Sequence, residues 1–435
     1  MTINTADLFA GVGGFRLALE GNPTTGHPKA GNYANVFANQ WEPDGQPTKQ
    51  FAYRCYTQHF GQENALNTDL HKVVADMQAG KLSIPPVDMV TAGFPCQDYS
   101  VAKTSNQAEG ITGKKGVLWW PLYTFITLTN PGIVLLENVD RLLKSPTSQR
   151  GRDFGIIIAC LRNAGYMVEW QVINAADYGY PTKRRRVFIL AYKNRELQGT
   201  LATAFPAERG EETTIAMPGS VLEVSNSFPG HGVKTSPFRS SGTAVDGLVT
   251  TAKATPLPCE TATLGAVLQA PETVPETYWV NDQDLSKWQY VKGAKRIDRT
   301  AKNGHKYTYS EGALPFPDHS DQPARTILTS EGGKGATRTK HAVTQNGKLR
   351  RLTPNELDAL HGFPAGWPKP VTLNPGDKPD GYEIEWGQQH EDGDGVLWWG
   401  TSEVSARIAR KSGRAVIRYV SPVIHIKEGD DEDAI

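Results

Sequence analysis

Near its start the chain carries Asp7-Leu8-Phe9-Ala10-Gly11-Val12-Gly13-Gly14-Phe15, a glycine-rich turn between a strand-like run, Thr5 to Phe9, and a helical one, Phe15 to Glu20. Glycines at such a joint supply torsions that side chains forbid and let the backbone pass close to a ligand. The same residues also serve as a plain tight turn with nothing bound. The alternation then repeats along the chain. Tyr33 to Asn39 is strand-like, Phe51 to Phe60 has helical spacing, and Asp88 to Ala92 and Ile133 to Leu136 are compact apolar strands flanking a helical stretch, Trp119 to Leu128. Val168 to Asn174 and Arg186 to Tyr192 read as two more strands. Strand and helix in alternation predict a doubly wound α/β sheet.

The character changes after about Asn194. From there to about Gly347 the chain is rich in Pro, Gly, Ser and Thr, which predicts a separate loop-rich domain inserted into the chain. A helix start then appears at Thr353, with Pro354 at the first helical position and Glu356 completing a capping box. The expected division is therefore 1–194, 195–347 and 348–435, the last combining a return to the first domain with a C-terminal tail.

Composition narrows the class. The 435 residues are long enough for two or three domains, and no apolar run approaches the length of a membrane span. Met1-Thr2-Ile3-Asn4 lacks the basic and apolar pattern of a secretory signal. Four scattered cysteines without metal-ligand spacing suit a reducing compartment, so a cytoplasmic protein with no metal is expected. Net charge is zero, but Lys183 to Arg186 is a basic run, and Lys334 to Arg351 holds six Lys and Arg with no acid. Such tracts are either solvated faces or contacts for phosphates.

Candidate chemistry lies at strand ends. Gln40-Trp41-Glu42 follows the second strand and offers a flat ring and polar groups suited to a nucleoside, and Asp69 could accept from an adenine amino group. Each is otherwise an ordinary loop residue. Gly93-Phe94-Pro95-Cys96-Gln97 follows the next strand directly, at the carboxyl edge where such sheets bind ligands. A cysteine held there after a proline suits a nucleophile, against the alternative of a small core residue. The polar stretch from Ser100 to Gly116 has the composition of a lid. Glu137-Asn138-Val139 ends the following strand with a carboxylate at the same edge, and Thr182 to Arg186 brings arginines suited to a phosphate or a carbonyl oxygen.

In this order the motifs resemble those of the cytosine-C5 DNA methyltransferases. The matching residues are Asp7 to Phe15, Trp41, Asp69, Phe94 to Gln97, Glu137 to Val139, Gln171 with Arg184 and Arg186, Arg351 to Pro354, and Gly362-Phe363-Pro364. The resemblance implies a Rossmann-like S-adenosylmethionine-dependent methyltransferase sheet with a smaller target-recognition domain in the inserted region. It implies an enzyme that methylates C5 of a flipped-out cytosine in a specific duplex DNA sequence through a covalent Cys96 adduct. Cys96, Glu137, Arg184 and Arg186 are then catalytic. Asp7, Phe9, Gly11, Gly13, Gly14, Gln40, Trp41, Asp69, Phe94 and Leu118 form the S-adenosylmethionine pocket. A monomer is expected, accompanied in a restriction-modification system by a cognate endonuclease that acts separately.

Two positions depart from the family pattern. The residue before Trp41 is Gln40 where an acid is usual, and the closing Gly-Asn-x-Val segment is missing. Its nearest counterpart is Gly400 to Val404, followed by an expected helix from Ser405 to Lys411. Alternatives are a tRNA methyltransferase on the same fold and a non-catalytic DNA-binding relative. The long inserted region speaks against the first, and the presence of Cys96, Glu137, Arg184 and Arg186 together against the second. A nicotinamide-dependent dehydrogenase is disfavoured because Asp7 to Gly14 does not fit Gly-x-Gly-x-x-Gly.

Overall fold

The structure is a computed structural model. It describes residues 2–42, 50–95, 118–217, 219–230, 233–300, 304–328, 331 and 335–367, together with the backbone of 371–372, 383–384, 408–411 and 414–417. The chain divides into two compact units. The first takes Met1–Pro43, Tyr56–Tyr178 and Arg185–Glu260; the second takes Asp44–Cys55, Gly179–Arg184 and Thr261–Ile435.

The first unit is built on the expected sheet. Its strands are β1 (Ile3–Leu8), β2 (Tyr33–Asn39), β3 (Ala65–Leu66), β4 (Met89–Ala92), β5 (Ile133–Val139), β6 (Met167–Asn174) and β7 (Arg185–Tyr192). Between them run helices α1 (Gly14–Glu20), α2 (Phe51–Phe60, whose first five residues are counted with the second unit), α3 (Leu70–Gln78), α4 (Trp119–Thr129) and α5 (Arg152–Asn163). The order is β3-β2-β1-β4-β5-β7-β6, with β3, β2, β1, β4 and β5 parallel and β7 antiparallel to both neighbours. Strand order reverses between β1 and β4, so right-handed crossovers wind the two halves over opposite faces. Burial on both faces explains why β4 is buried throughout and reads as an apolar run broken only by Thr91.

Helix α5 escapes the sequence pattern. Every residue from Asp153 to Leu161 is buried, so it has no polar stripe, and Ile156-Ile157-Ile158 reads equally well as a strand. Helix α6 (Thr200–Ala204) is short, and α7 (Val221–Ser227) covers α5, with the side chains of Val224 and Phe228 crowding Gly155.

The sheet does not stop at 194. After the short strands β8 (Ala207–Arg209) and β9 (Thr213–Ile215), β10 (Ser241–Val245) pairs with β6 and with β11 (Leu248–Ala252), which in turn pairs with β9. Strand β12 (Ala254–Pro256) pairs with β8. Residues 195–260 thus extend the first unit, against the expected boundary at 194/195. Their Pro, Gly and Ser residues mark hairpin turns rather than a separate domain, and Phe238 joins Phe154 and Trp170 in an edge-to-face aromatic cluster of the core.

The second unit holds α8 (Asp282–Lys292), the hairpin of β13 (Lys295–Thr300) and β14 (Lys306–Glu311), the hairpin of β15 (Ala342–Gln345) and β16 (Lys348–Arg351), and α9 (Pro354–Leu360). The Thr353 capping box forms as expected: its hydroxyl accepts from Glu356 N and the Glu356 carboxylate accepts from Thr353 N at 2.8 Å. Residues 352–360 pack with Leu264, Ile327 and Val343 in this unit's own core. In the tail, Gly400 to Val404 lies outside the described residues. The expected helix to Lys411 is replaced by a strand over its described part, Ile408–Lys411, paired antiparallel with Arg414–Ile417. Among the described residues no helix is long and apolar enough to cross a membrane.

Gly242 tests whether β10 belongs to the sheet. A Cβ there would overlap the Trp170 ring and the Thr250 carbonyl oxygen. Gly242→Ala should therefore cost about 1–3 kcal/mol in denaturant unfolding of the first unit. A neutral substitution would contradict the pairing.

Candidate active site at the carboxyl edge of the sheet

Register lines up the strand ends of the first unit. Leu8 pairs with Asn39 and with Ala92, Asn39 with Leu66, and Ala92 with Leu136. The next residues, Phe9, Gln40, Asn67 and Gly93, therefore leave the sheet at one level, and Glu137, still paired with Phe188, stands at that level in β5. They flank the point between β1 and β4 where strand order reverses, the usual ligand crevice of such folds.

At the end of β1 the backbone turns through left-handed torsions at Phe9 (φ 53), Gly11 (φ 56) and Gly13 (φ 91). Gly13 begins α1 without a side-chain cap, Gly14 is its first residue, and a Cβ at Gly13 would overlap the Phe60 ring. A Cβ at Gly11 would meet nothing within 4 Å, so backbone torsion rather than crowding requires glycine there. Gln40 fastens the turn from the neighbouring strand. Its Oε1 accepts from Gly11 N at 2.7 Å, while Asn67 Nδ2 donates to its carbonyl at 2.6 Å. Trp41 is half-buried and Glu42 buried. Asp69 caps α3, its Oδ1 accepting from His71 N at 2.8 Å. Leu118, half-buried, is the residue before α4.

Asp7 lies beneath this turn at 1 % exposure. The Thr91 hydroxyl donates to its Oδ1 at 3.0 Å, and Oδ2 has no hydrogen-bond partner among the described residues. Burial pushes its carboxyl up to about 7, against the opposing pull of the Thr91 bond and the Arg16 guanidinium. Sequence reasoning does not single out Thr91; a hydroxyl inside an otherwise apolar strand is the available signal.

At the ends of β4 and β5, Phe94 is buried against Trp119, ring centroids 5.9 Å apart. Asn138, to which the sequence alone gives no role, donates from Nδ2 to the Phe94 carbonyl at 2.9 Å and buckles the two strand ends together. Glu137 Oε2 faces Gly93, and Glu137 Oε1 pairs with Arg186 Nε at 2.7 Å. The partnership follows from the sheet, because Val139 pairs with Arg186 and Glu137 sits one diagonal step away on the same face. Gln171 Nε2 donates to the Phe205 carbonyl at 2.9 Å and to the Tyr178 hydroxyl at 3.2 Å, so it holds the β6 end together. Arg184 belongs to the second unit, where the adjacent Lys183 N donates to the Ala324 carbonyl at 2.8 Å. Cys96, Gln97 and the stretch Ser100 to Gly116 lie outside the described residues. Of the described cysteines, Cys55 and Cys160 are buried, and burial pushes the Cys160 thiol up to about 12.

Three of the six cations in the tract Lys334 to Arg351 are internal, while Lys348 is exposed and Lys334 lies outside the described residues. Arg350 is fully buried in a two-pronged pair with Glu356, and Arg351 is buried over the Tyr278 ring. Lys340 is buried, with Nζ donating to the Gly335 carbonyl at 2.6 Å, and its amine is drawn down to about 7 by burial. Arg338 donates to the Val291 and Gly293 carbonyls. A run of cations without acids suggests a phosphate-binding face, but for these cations the counter-groups are a carboxylate just beyond the tract, Glu356, an aromatic ring and backbone carbonyls.

Asp7 gives a pH signature. A carboxyl raised from its ordinary 3.8 to about 7 favours the fold in full below pH 3.8, and that contribution is lost as pH rises through 7. Asp7→Asn should therefore melt increasingly above wild type as pH rises to 7, by on the order of a few kcal/mol, with the difference levelling off beyond. A constant difference across the scan would contradict the buried, protonated carboxyl.

The profile of the family described as C-5 cytosine-specific DNA methylase matches residues 3–378 of the chain. The type II methyltransferase M.Sau3AI of Staphylococcus aureus is 39% identical over 385 residues, 84% of this chain and 88% of that one. M.NgoBI of Neisseria gonorrhoeae is 32% identical over 191 residues, 44% of this chain and 50% of that one. A solved structure of a DNMT2 variant from Spodoptera frugiperda matches in fold with a TM-score of 0.50 at 14% identity, covering 86% of this chain and 92% of that chain. The chain, with its methyltransferase sheet, belongs to the C-5 cytosine-specific DNA methylase family.

Proposed function

We propose that the Glu137–Arg186 pair marks the cytosine pocket of this DNA cytosine-5 methyltransferase and that Cys96 is its nucleophile. The observation that carries the reading is that pair, held at the level of Gly93, three residues before Cys96. A cytosine cannot reach such an edge from within a stacked duplex, so it is flipped out of the DNA. The Cys96 thiolate forms a bond from Sγ to C6, and the C5–C6 electron pair moves into the ring. Glu137 holds N3 and the exocyclic amino group, which stabilises that charge; Arg186 orients Glu137 and contacts O2. Arg184 helps to position the DNA phosphate and nucleophile. Loss of the C5 proton and expulsion of the Cys96 sulfur then restore the aromatic ring.

The β1–β4 edge fits S-adenosylmethionine. Gly11 leaves open space where a Cβ would stand, and Asp69 uses one carboxylate oxygen for its cap, leaving the other for an adenine amino group. Phe9, Gly11, Gln40, Trp41, Asp69 and Leu118 would hold the cofactor, with Asp7, Gly13, Gly14 and Phe94 shaping the turn and strand ends behind it. When bound, S-adenosylmethionine supplies the electrophilic methyl group. With Oε1 engaged by Gly11 N, the Gln40 amide offers its NH2 to a ribose hydroxyl in place of the family's acid. The second unit reads the DNA word. The setting we propose is a cytoplasmic monomer whose restriction endonuclease partner acts separately.

Bisulfite sequencing of DNA from cells expressing the chain tests this reading. Protected cytosines should fall in one sequence word and vanish with Cys96→Ser; protection in the serine variant would remove the assignment. Glu137→Gln should slow single-turnover methylation by roughly 10²-fold or more while leaving DNA affinity largely intact.

A further inference from the structure

Lys340, Arg350 and Arg351 of the tract 334–351 are buried and so are closed to DNA, which turns attention to exposed cations elsewhere in the second unit. The hairpin of β13 and β14 carries such cations. Its pairing runs from Lys295 with Glu311 to Thr300 with Lys306, and every position of both strands is exposed or half-buried, with none in a core. Ile297 is 39% exposed and Tyr307 43%. An isolated two-stranded ribbon is marginal in water, so something must hold its base. Arg338 does so, donating to the Val291 and Gly293 carbonyls at the end of α8 and to the Gly312 carbonyl after β14, and pairing with Glu311 at 3.3 Å.

The two faces differ. On one, Arg299 stacks over Tyr309 at 4.3 Å and Glu311 is taken by Arg338. On the other lie Arg296 and Lys306, which form no ion pair among the described residues, while the nearby Asp298 accepts from the Thr308 hydroxyl at 2.7 Å. A ribbon of this width fits a duplex groove and its phosphate walls.

We propose that the β13–β14 hairpin is a DNA-gripping arm whose Arg296 and Lys306 contact backbone phosphates of the duplex, with Arg338 as its anchor. The inference rests on the reading of the chain as a DNA methyltransferase and adds where that enzyme holds its substrate. The grip is independent of sequence, because phosphates carry no base identity.

The test uses the full chain and duplex DNA, with and without the methylated word, across a salt series. For Arg296→Ser/Lys306→Ser, affinity for both duplexes should fall by a similar factor. The slope of log affinity against log salt should shrink by about 1.8, roughly 0.9 for each lost phosphate contact. The word methylated and the single-turnover rate at saturating DNA should stay as in wild type. An unchanged slope and affinity would overturn the arm, as would weakened binding confined to one duplex, which would indicate base reading. Should the double variant melt early, Lys306→Gln alone must still reduce the slope by about 0.9. A wild-type protein that methylates no DNA would remove the underlying reading; an active wild type with an unaltered variant slope would remove only the arm.

Discussion

Leu8 hydrogen-bonds into register with Asn39 on one side and Ala92 on the other, and Ala92 with Leu136. That register of parallel strands is the constraint on which the site depends. It brings residues more than a hundred positions apart to one level without any loop having to search for the geometry. It also requires a core closed on both faces of the sheet, which is why β4 is buried at every position and α5 is buried from Asp153 to Leu161. Small polar clasps then fix the ends: Thr91 on Asp7, Gln40 on Gly11 and Asn138 on Phe94. Each satisfies a polar group at the strand ends and also sets the path of a loop that leaves the carboxyl edge.

Much of this was legible in the sequence, for definable reasons. The helix Phe51–Phe60 buries Phe51, Ala52, Cys55 and Tyr56 at helical spacing, and the Thr353 capping box announces α9. Elements that lack contrast were not legible. Helix α5 is buried on every side from Asp153 to Leu161, and strands β10 and β11 are short, rich in Thr and Ser, and set among turn residues. The sequence shows the candidate site only as separate strand ends. That Glu137 meets Arg186 depends on an antiparallel pairing of β5 with β7, which no local pattern encodes.

Charge was the least legible property, because a run of cations says nothing about where its partners lie. Arg350 finds Glu356, Arg325 finds Asp318, and Arg351 lies over Tyr278, so the second unit commits most of these guanidinium groups to its own interior. A buried arginine needs several well-placed acceptors, and its planar fork suits two-pronged carboxylate pairs. Removing one partner from such a pair therefore leaves an uncompensated charge in the core. The exposed ribbon after α8 has the opposite character, with cations facing water and little beneath them.

Our proposal sets a nucleophile, Cys96, beside a pocket for one cytosine. Its most direct test is a covalent trap on duplex DNA carrying 5-fluorocytosine in the methylated word, in the presence of S-adenosylmethionine. Fluorine cannot leave C5 as the proton does, so the enzyme should remain bonded to the DNA. Mass spectrometry of the digested adduct should place the modified base on the peptide that contains Cys96. Attachment at Cys259 or any other residue, or no adduct from an enzyme that still methylates ordinary DNA, would contradict the account.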